Sequence, residues 1–254
     1  MIERKKIQEI VDSYDNKHIT IGVLGGHSAL DVCRGAKKHG FRTLAVCQKG
    51  REKTYTKYYK TREDGRGCID ETIVLDKFSD ITKPNVQEQL RKLNTIFIHN
   101  RYFWVYFDFH DIENNFMVPI YGTRSMLKLE ERDVPKNQYY LLEKAGIRFP
   151  KLIKSPKDID RLVIVKVNEA IRGYERAFFY ATSLDDYKKK SDELLKKKMI
   201  TKEALDQAVI EEYIIGAQVN FNYFYSAVDD ELEIMGTDTR RQTNLDGLIR
   251  LPAN

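Results

Sequence analysis

Three stretches of this 254-residue sequence combine residue types that could do chemistry. The first is GVLGGHSALDVCRGAKK, residues 22–38. Strand-like residues run into Gly25-Gly26, then His27 and Ser28, then a helical stretch. A helix N-terminus offers backbone N–H groups and the positive end of its dipole, which together favour a phosphate. Gly26 lets a ligand approach the backbone closely. Ser28 can cap the helix or bind the anion. His27 stands beyond the carboxyl end of the strand, where open α/β sheets bind ligands. The spacing is not GxGxxG, and Gln48-Lys49-Gly50-Arg51 follow the second strand where a dinucleotide site wants a carboxylate. The stretch therefore favours a phosphorylated small molecule over NAD. Its plain alternative is a strand–helix turn with a capping serine.

The second stretch pairs VIVKV at 163–167 with VIEEYIIGAQ at 209–218. A lysine emerging from a strand can hold nucleotide phosphates. A strand carrying Glu211-Glu212-Tyr213-Ile214 can offer a carboxylate and backbone groups to an adenine edge. Ordinary strands with charged ends would look the same. The third is GTDTRRQTNLDG, residues 236–247, where Asp238, Arg240 and Arg241 crowd beside Gln242, Thr243 and Asn244. Guanidinium forks suit phosphate or carboxylate, although a surface turn with local ion pairs has the same composition. The remaining histidines give little. His18 starts a strand, His39 ends a helix and His110 lies in an aromatic helix, and no pair has metal-ligand spacing. His99 ends a strand at the same sheet edge as His27. No GxSxG elbow and no Walker loop occurs.

Elements must position these groups. Residues 2–14 place Ile2, Ile7, Ile10, Val11 and Tyr14 on one helical face. His18–Leu24 reads as a buried strand. The helix after Ser28 runs to Lys38, and Gly40 suits its stop. Thr43–Cys47, Thr72–Leu75 and Thr95–Ile98 read as strands, with a helix over 85–93. Met117–Tyr121 reads as another short strand, closed by Gly122. The aromatic run Tyr102–Phe109 reads as helix core rather than a stacking platform. Alternating β and α elements with short connections argue for a parallel sheet covered by helices. Near 122–135 the character changes. A helix over 136–145 ends at Gly146. Strands are expected at Leu162–Val167, Phe178–Ala181 and Val209–Ile215, with helices over 184–198 and 202–208. An antiparallel pair is expected over 218–226 and 231–236, around Asp229-Asp230. The second part is thus α+β.

Composition narrows the class. Hydrophobic residues are 42% and charged residues 32%, and fifteen tyrosines with twelve phenylalanines argue against disorder. No apolar run is long enough for a membrane span. The opening MIERKKIQEI places charges where a secretory signal needs an apolar core. Three cysteines (Cys33, Cys47, Cys68) form no CxxC and leave an odd number, which disfavours disulfides and structural zinc and fits a reducing cytoplasm. The net charge of +5 permits an anionic partner. The run Lys188-Lys189-Lys190 reads as a solvated helix face, since no aromatic platform interleaves with it as RNA binding would require. Nothing after Asp246-Gly247 reads as a finishing helix, and two or three strands after Glu212 would leave a sheet face uncovered. Further sequence beyond Asn254 is expected.

Taken in order, the strand-glycine-His-Ser loop, VPIYGTR, LLEKAGIRFPK, VIVK, IEEYIIG and DTRRQTNLDG resemble the archaeal formate-dependent AICAR ligases. These are FAICAR synthetases of the PurP type, within the ATP-grasp superfamily. The resemblance covers essentially the whole chain. GGHSALDVCRGAKKHGF and DTRRQTNLDGLIRLPA carry it most specifically, whereas the middle motifs are general to ATP-grasp enzymes. It implies a Rossmann-like pre-ATP-grasp domain over 1–124, an ATP-grasp nucleotide-binding subdomain over 125–215, and the beginning of a second subdomain over 216–254. It implies a cytoplasmic ligase of IMP biosynthesis that uses ATP with Mg2+ or Mn2+. Formate would be phosphorylated to formyl phosphate, and the AICAR amine would then attack the formyl carbon. Catalysis would rest on positioning and charge stabilisation. The resemblance assigns Gly26, His27, Ser28, Tyr102, Arg240, Arg241 and Gln242 to the substrate. It assigns Lys136, Lys166, Glu211, Glu212, Tyr213 and Ile214 to ATP. Metal ligands would lie beyond Asn254. Family members form homo-oligomers, and neither nucleic acid nor membrane is implied as a partner.

Three departures from the family pattern stand out. The glycine-rich flap after the VIVK lysine is here VNEAIRGYERAFF, with Gly173 left and Arg172 and Arg176 added. The family's Gly-Ser pair after the fourth strand is replaced in HNRYFW by Arg101-Tyr102. The DxRYES pattern appears as DTRRQT, so Gln242 stands where a glutamate is usual. These changes keep two other readings open: an ATP-grasp paralogue joining another small carboxylate to another phosphorylated amine, and a nucleotide-binding protein without turnover.

Overall fold

The backbone builds a parallel sheet first. The computed structural model describes residues 1–100, 102–124, 127, 135–167, 177–216, 219–226 and 231–238. The chain divides into two units, Met1–Lys128 and Leu129–Asn254. In the first, helix α1 (Arg4–Asp12) precedes β1 (Thr20–Leu24), α2 (Ala29–Lys38), β2 (Arg42–Gln48), β3 (Glu71–Leu75), α3 (Pro84–Lys92) and β4 (Thr95–Ile98). The strands pair in the order β3-β2-β1-β4, all parallel. Near-continuous apolar runs fit a sheet buried on both faces. One face presents Leu24, Leu44, Val46 and Phe97 to a core with Phe78, Leu90 and Phe116. The other presents Val23, Ala45 and Cys47 to Ala29 and Cys33 of α2 and to Tyr55. Gly22 lies at the centre, and a Cβ there would sit 2.5 Å from Thr95 Cγ2, so only glycine lets β1 and β4 pack this closely.

Several elements differ from the sequence reading. His18 lies not in a strand but in the turn Asn16–His18, closed by the Asp15 side chain accepting from Lys17 N at 3.0 Å. Met117–Tyr121 makes only a single bridge, Phe97 with Ile120. Pro119 has no N–H to extend a ladder and Gly122, at φ +91°, turns the chain away. The aromatic helix is two short ones, α4 (Tyr102–Tyr106) and α5 (Phe109–Asn114), because Asp108 accepts from His110 N at 2.8 Å and restarts the helix. Their rings do pack as core: Phe103 lies 5.6 Å from Phe97, and Tyr102 5.5 Å from Phe78.

Two polar side chains, buried Gln87 and half-buried Arg124, fix the end of this unit. Gln87 donates to Thr82 O at 2.6 Å and Asn115 O at 3.0 Å and accepts from Met117 N at 2.6 Å. Arg124, from the VPIYGTR stretch, donates to Ile112 O and Val118 O, each at 2.7 Å. Burial pulls its guanidinium down to about 10.

The three cysteines are free and buried around α2 and β2. Burial pushes the Cys33 and Cys47 thiols up from 9.0 to about 12. An iodoacetamide reaction at pH 8 is expected to leave both unlabelled in the native protein and to label both in denaturant, as mass spectrometry of the peptides would show. The sign for stability follows from the same shift. From 9.0 to about 12 the unfolded chain ionises while the fold does not, so these thiols lower stability as pH rises through that window.

The second unit holds α6 (Gln138–Lys144), β5 (Leu152–Ile153), β6 (Val163–Val167), β7 (Ala177–Ala181), α7 (Leu184–Lys196), α8 (Lys202–Asp206) and β8 (Val209–Glu212). The antiparallel order is β5-β8-β6-β7. Alternation along β6 sends Val163, Val165 and Val167 into a core with Phe179, Ile210, Tyr187 and Leu194. Ser183 caps α7, accepting from Asp186 N at 3.2 Å. Lys188 and Lys189 are exposed, and Lys190 donates to Asp186 at 2.9 Å and Tyr180 O at 3.0 Å. β8 stops at Glu212 rather than Ile215. Its partner β6 begins at Val163, so after the Tyr213 N to Leu162 O bond of 3.0 Å no ladder remains. Strands β9 (Asn220–Ser226) and β10 (Glu231–Asp238) form the expected antiparallel pair. Among the described residues no helix is long and apolar enough to cross a membrane.

Candidate functional site

In the first unit the carboxyl ends of β1 and β4 meet at the glycine loop. Gly25 N donates to Val46 O at 2.7 Å, and Ala29 N to Gly26 O at 3.1 Å. Ser28 takes a left-handed φ of +63° and makes no side-chain bond to the helix. The capping reading of Ser28 is therefore corrected: its hydroxyl lies 2.8 Å from His27 Nδ1, and a left-handed residue cannot fold its side chain back over the first turn. The N-terminus of α2 is left without a side-chain cap, and exposed His27 and Ser28 stand beside it.

Gly26 and Tyr102 are brought together. A Cβ on Gly26 would fall 2.0 Å from Tyr102 Cε2 and 2.3 Å from Cδ2, so the ring fills the space that any side chain would need. Two residues overlooked in the sequence hold this geometry. Buried Asn100 donates to Leu24 O at 2.9 Å and accepts from Tyr102 N at 3.0 Å, tying β1 to the start of α4. The only signal for it was an Asn between a strand end and a helix start. Tyr55 closes the other side, its hydroxyl 3.5 Å from Gly26 O, and burial pushes its phenol up to about 12. No sequence pattern marked it. His99 lies against Phe103, ring centroids 6.3 Å apart. Arg51 donates to Tyr106 Oη at 3.0 Å.

In the second unit a polar group forms on the sheet face opposite the core. Ile164 pairs with Glu211 across β6 and β8, which places Lys166 and Glu211 on one face. Lys166 Nζ bonds Glu211 Oε1, and Tyr139 Oη of α6 donates to Glu211 Oε2 at 2.5 Å. Glu211 is 5% exposed. A buried carboxylate is tolerated only when paired and hydrogen-bonded, and here it is both. Tyr180 of β7 and Tyr213, just past β8, meet edge to face at 5.0 Å, and Ile214 is exposed past the end of β8. Glu212 points the other way, to Arg161 Nη1 at 3.2 Å and Lys151 N at 3.3 Å. Lys136 is an exposed turn residue just before α6. Asp238 is held by Asn220 at 3.0 Å and Asn222 at 3.1 Å. Arg240, Arg241, Gln242 and the flap stretch 168–176 lie outside the described residues.

Comparison with known proteins gives the family. Residues 21–153 match the family described as "Protein of unknown function (DUF1246)", and residues 186–254 the "Domain of unknown function (DUF1297)". The chain is 41% identical over 253 residues to the 5-formaminoimidazole-4-carboxamide-1-(beta)-D-ribofuranosyl 5'-monophosphate synthetase of Methanothermobacter thermautotrophicus, covering 99% of this chain and 66% of that protein. It is 40% identical over 254 residues to the synthetase of the same name from Methanopyrus kandleri, covering 100% and 67%. The chain thus spans about two thirds of the length of these relatives. Among solved structures it is similar to an IMP biosynthesis protein PurP from Thermococcus kodakaraensis, with TM-score 0.59, 21% identity, and 92% and 63% of the two chains covered. An ADP complex of PurK, an N5-carboxyaminoimidazole ribonucleotide synthetase, gives TM-score 0.57 at 14% identity, over 87% and 53%. These likenesses show that the chain shares the fold of the PurP and PurK structures. With identity of this extent along the whole chain, the chain belongs to the 5-formaminoimidazole-4-carboxamide ribonucleotide (FAICAR) synthetase family.

Proposed function

We propose that the complete protein is an ATP-dependent ligase that formylates AICAR with formate. The observation that carries this is the 40–41% identity, along essentially the whole chain, to proteins named as the synthetases of the formylated product. Two local arrangements support it. The uncapped N-terminus of α2, with His27 and Ser28 at its mouth, suits the phosphate of the amine substrate. Lys166, backed by Glu211 and Tyr139, suits the phosphates of ATP. Glu211 holds the lysine on its face, and incoming phosphate oxygens compete for the ammonium. Tyr213 and Ile214 follow where an adenine edge would lie. Glu212, turned to Arg161, serves the fold instead.

The reaction balances as two transfers. A formate oxygen attacks the γ-phosphorus of ATP and ADP leaves. The AICAR amine then attacks the formyl carbon, loses its proton, and phosphate departs with that oxygen. The chain's part is to position both partners and to exclude water. The described residues contain no group of three His, Cys, Asp or Glu side chains able to hold a metal ion. By themselves they do not fit a divalent-cation site. Carrying the reaction out with oxygen-18 formate tests the scheme. Label in the released inorganic phosphate is expected, and phosphate without label would exclude formyl transfer through an acyl phosphate.

A selective effect is expected at the loop. His27→Ala should weaken AICAR binding about tenfold, about 1.4 kcal/mol, and leave ADP affinity unchanged in calorimetry. Unchanged affinity for both would remove the loop from the substrate site.

A further inference from the structure

The loop between β2 and β3 makes a second concavity in the first unit, against the outer side of α2. Its volume is about 750 Å³, large enough for a nucleotide-sized ligand. Arg34, Lys37, Lys38 and Arg66 line it against a single lining carboxylate, Asp31. The spacing of 34, 37 and 38 places three cations on one face of α2. Two of the four cations are already neutralised: Lys37 by Asp70 at 2.8 Å and Arg66 by Asp64 at 2.6 Å. Arg34 and Lys38 have no carboxylate within ion-pair distance among the described residues. Tyr59, 45% exposed, adds a ring to the same wall.

The wall is rigid. Thr61 N donates to Ile69 O at 2.8 Å, Arg62 N to Arg66 O at 2.9 Å, and Cys68 N to Tyr59 O at 2.9 Å. Gly67, at φ +87°, lies so close that a Cβ would be 2.2 Å from Lys60 O. Asp70 is locked to the same frame. Burial alone would push its carboxyl up, but bonds from Lys37 and from the Thr43 N–H and hydroxyl outweigh it and hold the group below the usual range. A concavity lined by two cations that make no ion pair among the described residues, together with one exposed ring, has the chemistry to hold an anion carrying an aromatic group.

We propose that this pocket, separate from the glycine loop, binds a phosphorylated ligand of nucleotide size, with its phosphates on Arg34 and Lys38 and its ring on Tyr59. The test uses calorimetry with inorganic pyrophosphate, and hydrogen exchange with ADP. Pyrophosphate should bind the unmodified protein at low salt and weaken as salt rises. Arg34→Gln with Lys38→Gln should cost at least about tenfold in that affinity, about 1.4 kcal/mol. His27→Ala should retain it. ADP should slow exchange over 59–68, and Tyr59→Ala should reduce that protection while leaving pyrophosphate affinity intact. The proposal is overturned by pyrophosphate affinity equal in the unmodified and doubly substituted proteins, or by a loss that tracks His27→Ala. Exchange over 59–68 unmoved by ADP would overturn the nucleotide assignment.

Discussion

Lys166→Ala is expected to lower ATP affinity roughly 10- to 100-fold, the loss of one charge-assisted contact worth about 1.5–3 kcal/mol. It should also destabilise the second unit by about 3 kcal/mol, because Glu211 is left buried without its cation. The two effects separate in a double variant. Adding Glu211→Gln removes the stranded charge, so Lys166→Ala/Glu211→Gln should recover most of the stability without recovering nucleotide binding. Thermal denaturation and calorimetry with ATP read the two quantities independently. Full ATP affinity in a folded Lys166→Ala protein would take the lysine out of the site.

The second large effect is at Gly26. Gly26→Ala should cost about 1–3 kcal/mol and abolish AICAR binding, since the new methyl would occupy the Tyr102 ring. The ring cannot swing freely, for it packs 5.5 Å from Phe78 and 5.1 Å from Tyr106. Removing the ring removes the clash: in a Tyr102→Ala background the same alanine should be nearly neutral. A coupling energy below about 0.5 kcal/mol in this double-mutant cycle would show that the two residues are not packed as described.

Much of the fold was legible because it rests on local rules. Gly25-Gly26 after IGVL marked the β1–α2 turn, and the run LVIVKV marked β6, whose valines prove buried while Ile164 and Lys166 face away. What escaped depends on partners distant in sequence. Glu212 resembles Glu211 in the sequence, and only the register with β6 and the position of Arg161 show that their carboxylates turn to different partners, Glu211 to Lys166 and Glu212 to Arg161. Tyr55 and Asn100 acquire meaning from Gly26 and Leu24, far away along the chain. Pro119 shows the reverse. The apolar run around it suggested a strand, yet one missing N–H limits it to a bridge. The loop 59–68 had no signature at all, because its pocket arises only when α2 packs beside it.

The most direct test of the central claim is product formation by the complete protein with ATP, magnesium, formate and AICAR, omitting each small molecule in turn. FAICAR, ADP and phosphate should appear together, in equal amounts, only when ATP, formate and AICAR are all present. Binding of ATP and AICAR without FAICAR, or FAICAR formed without formate or without ATP, would contradict it.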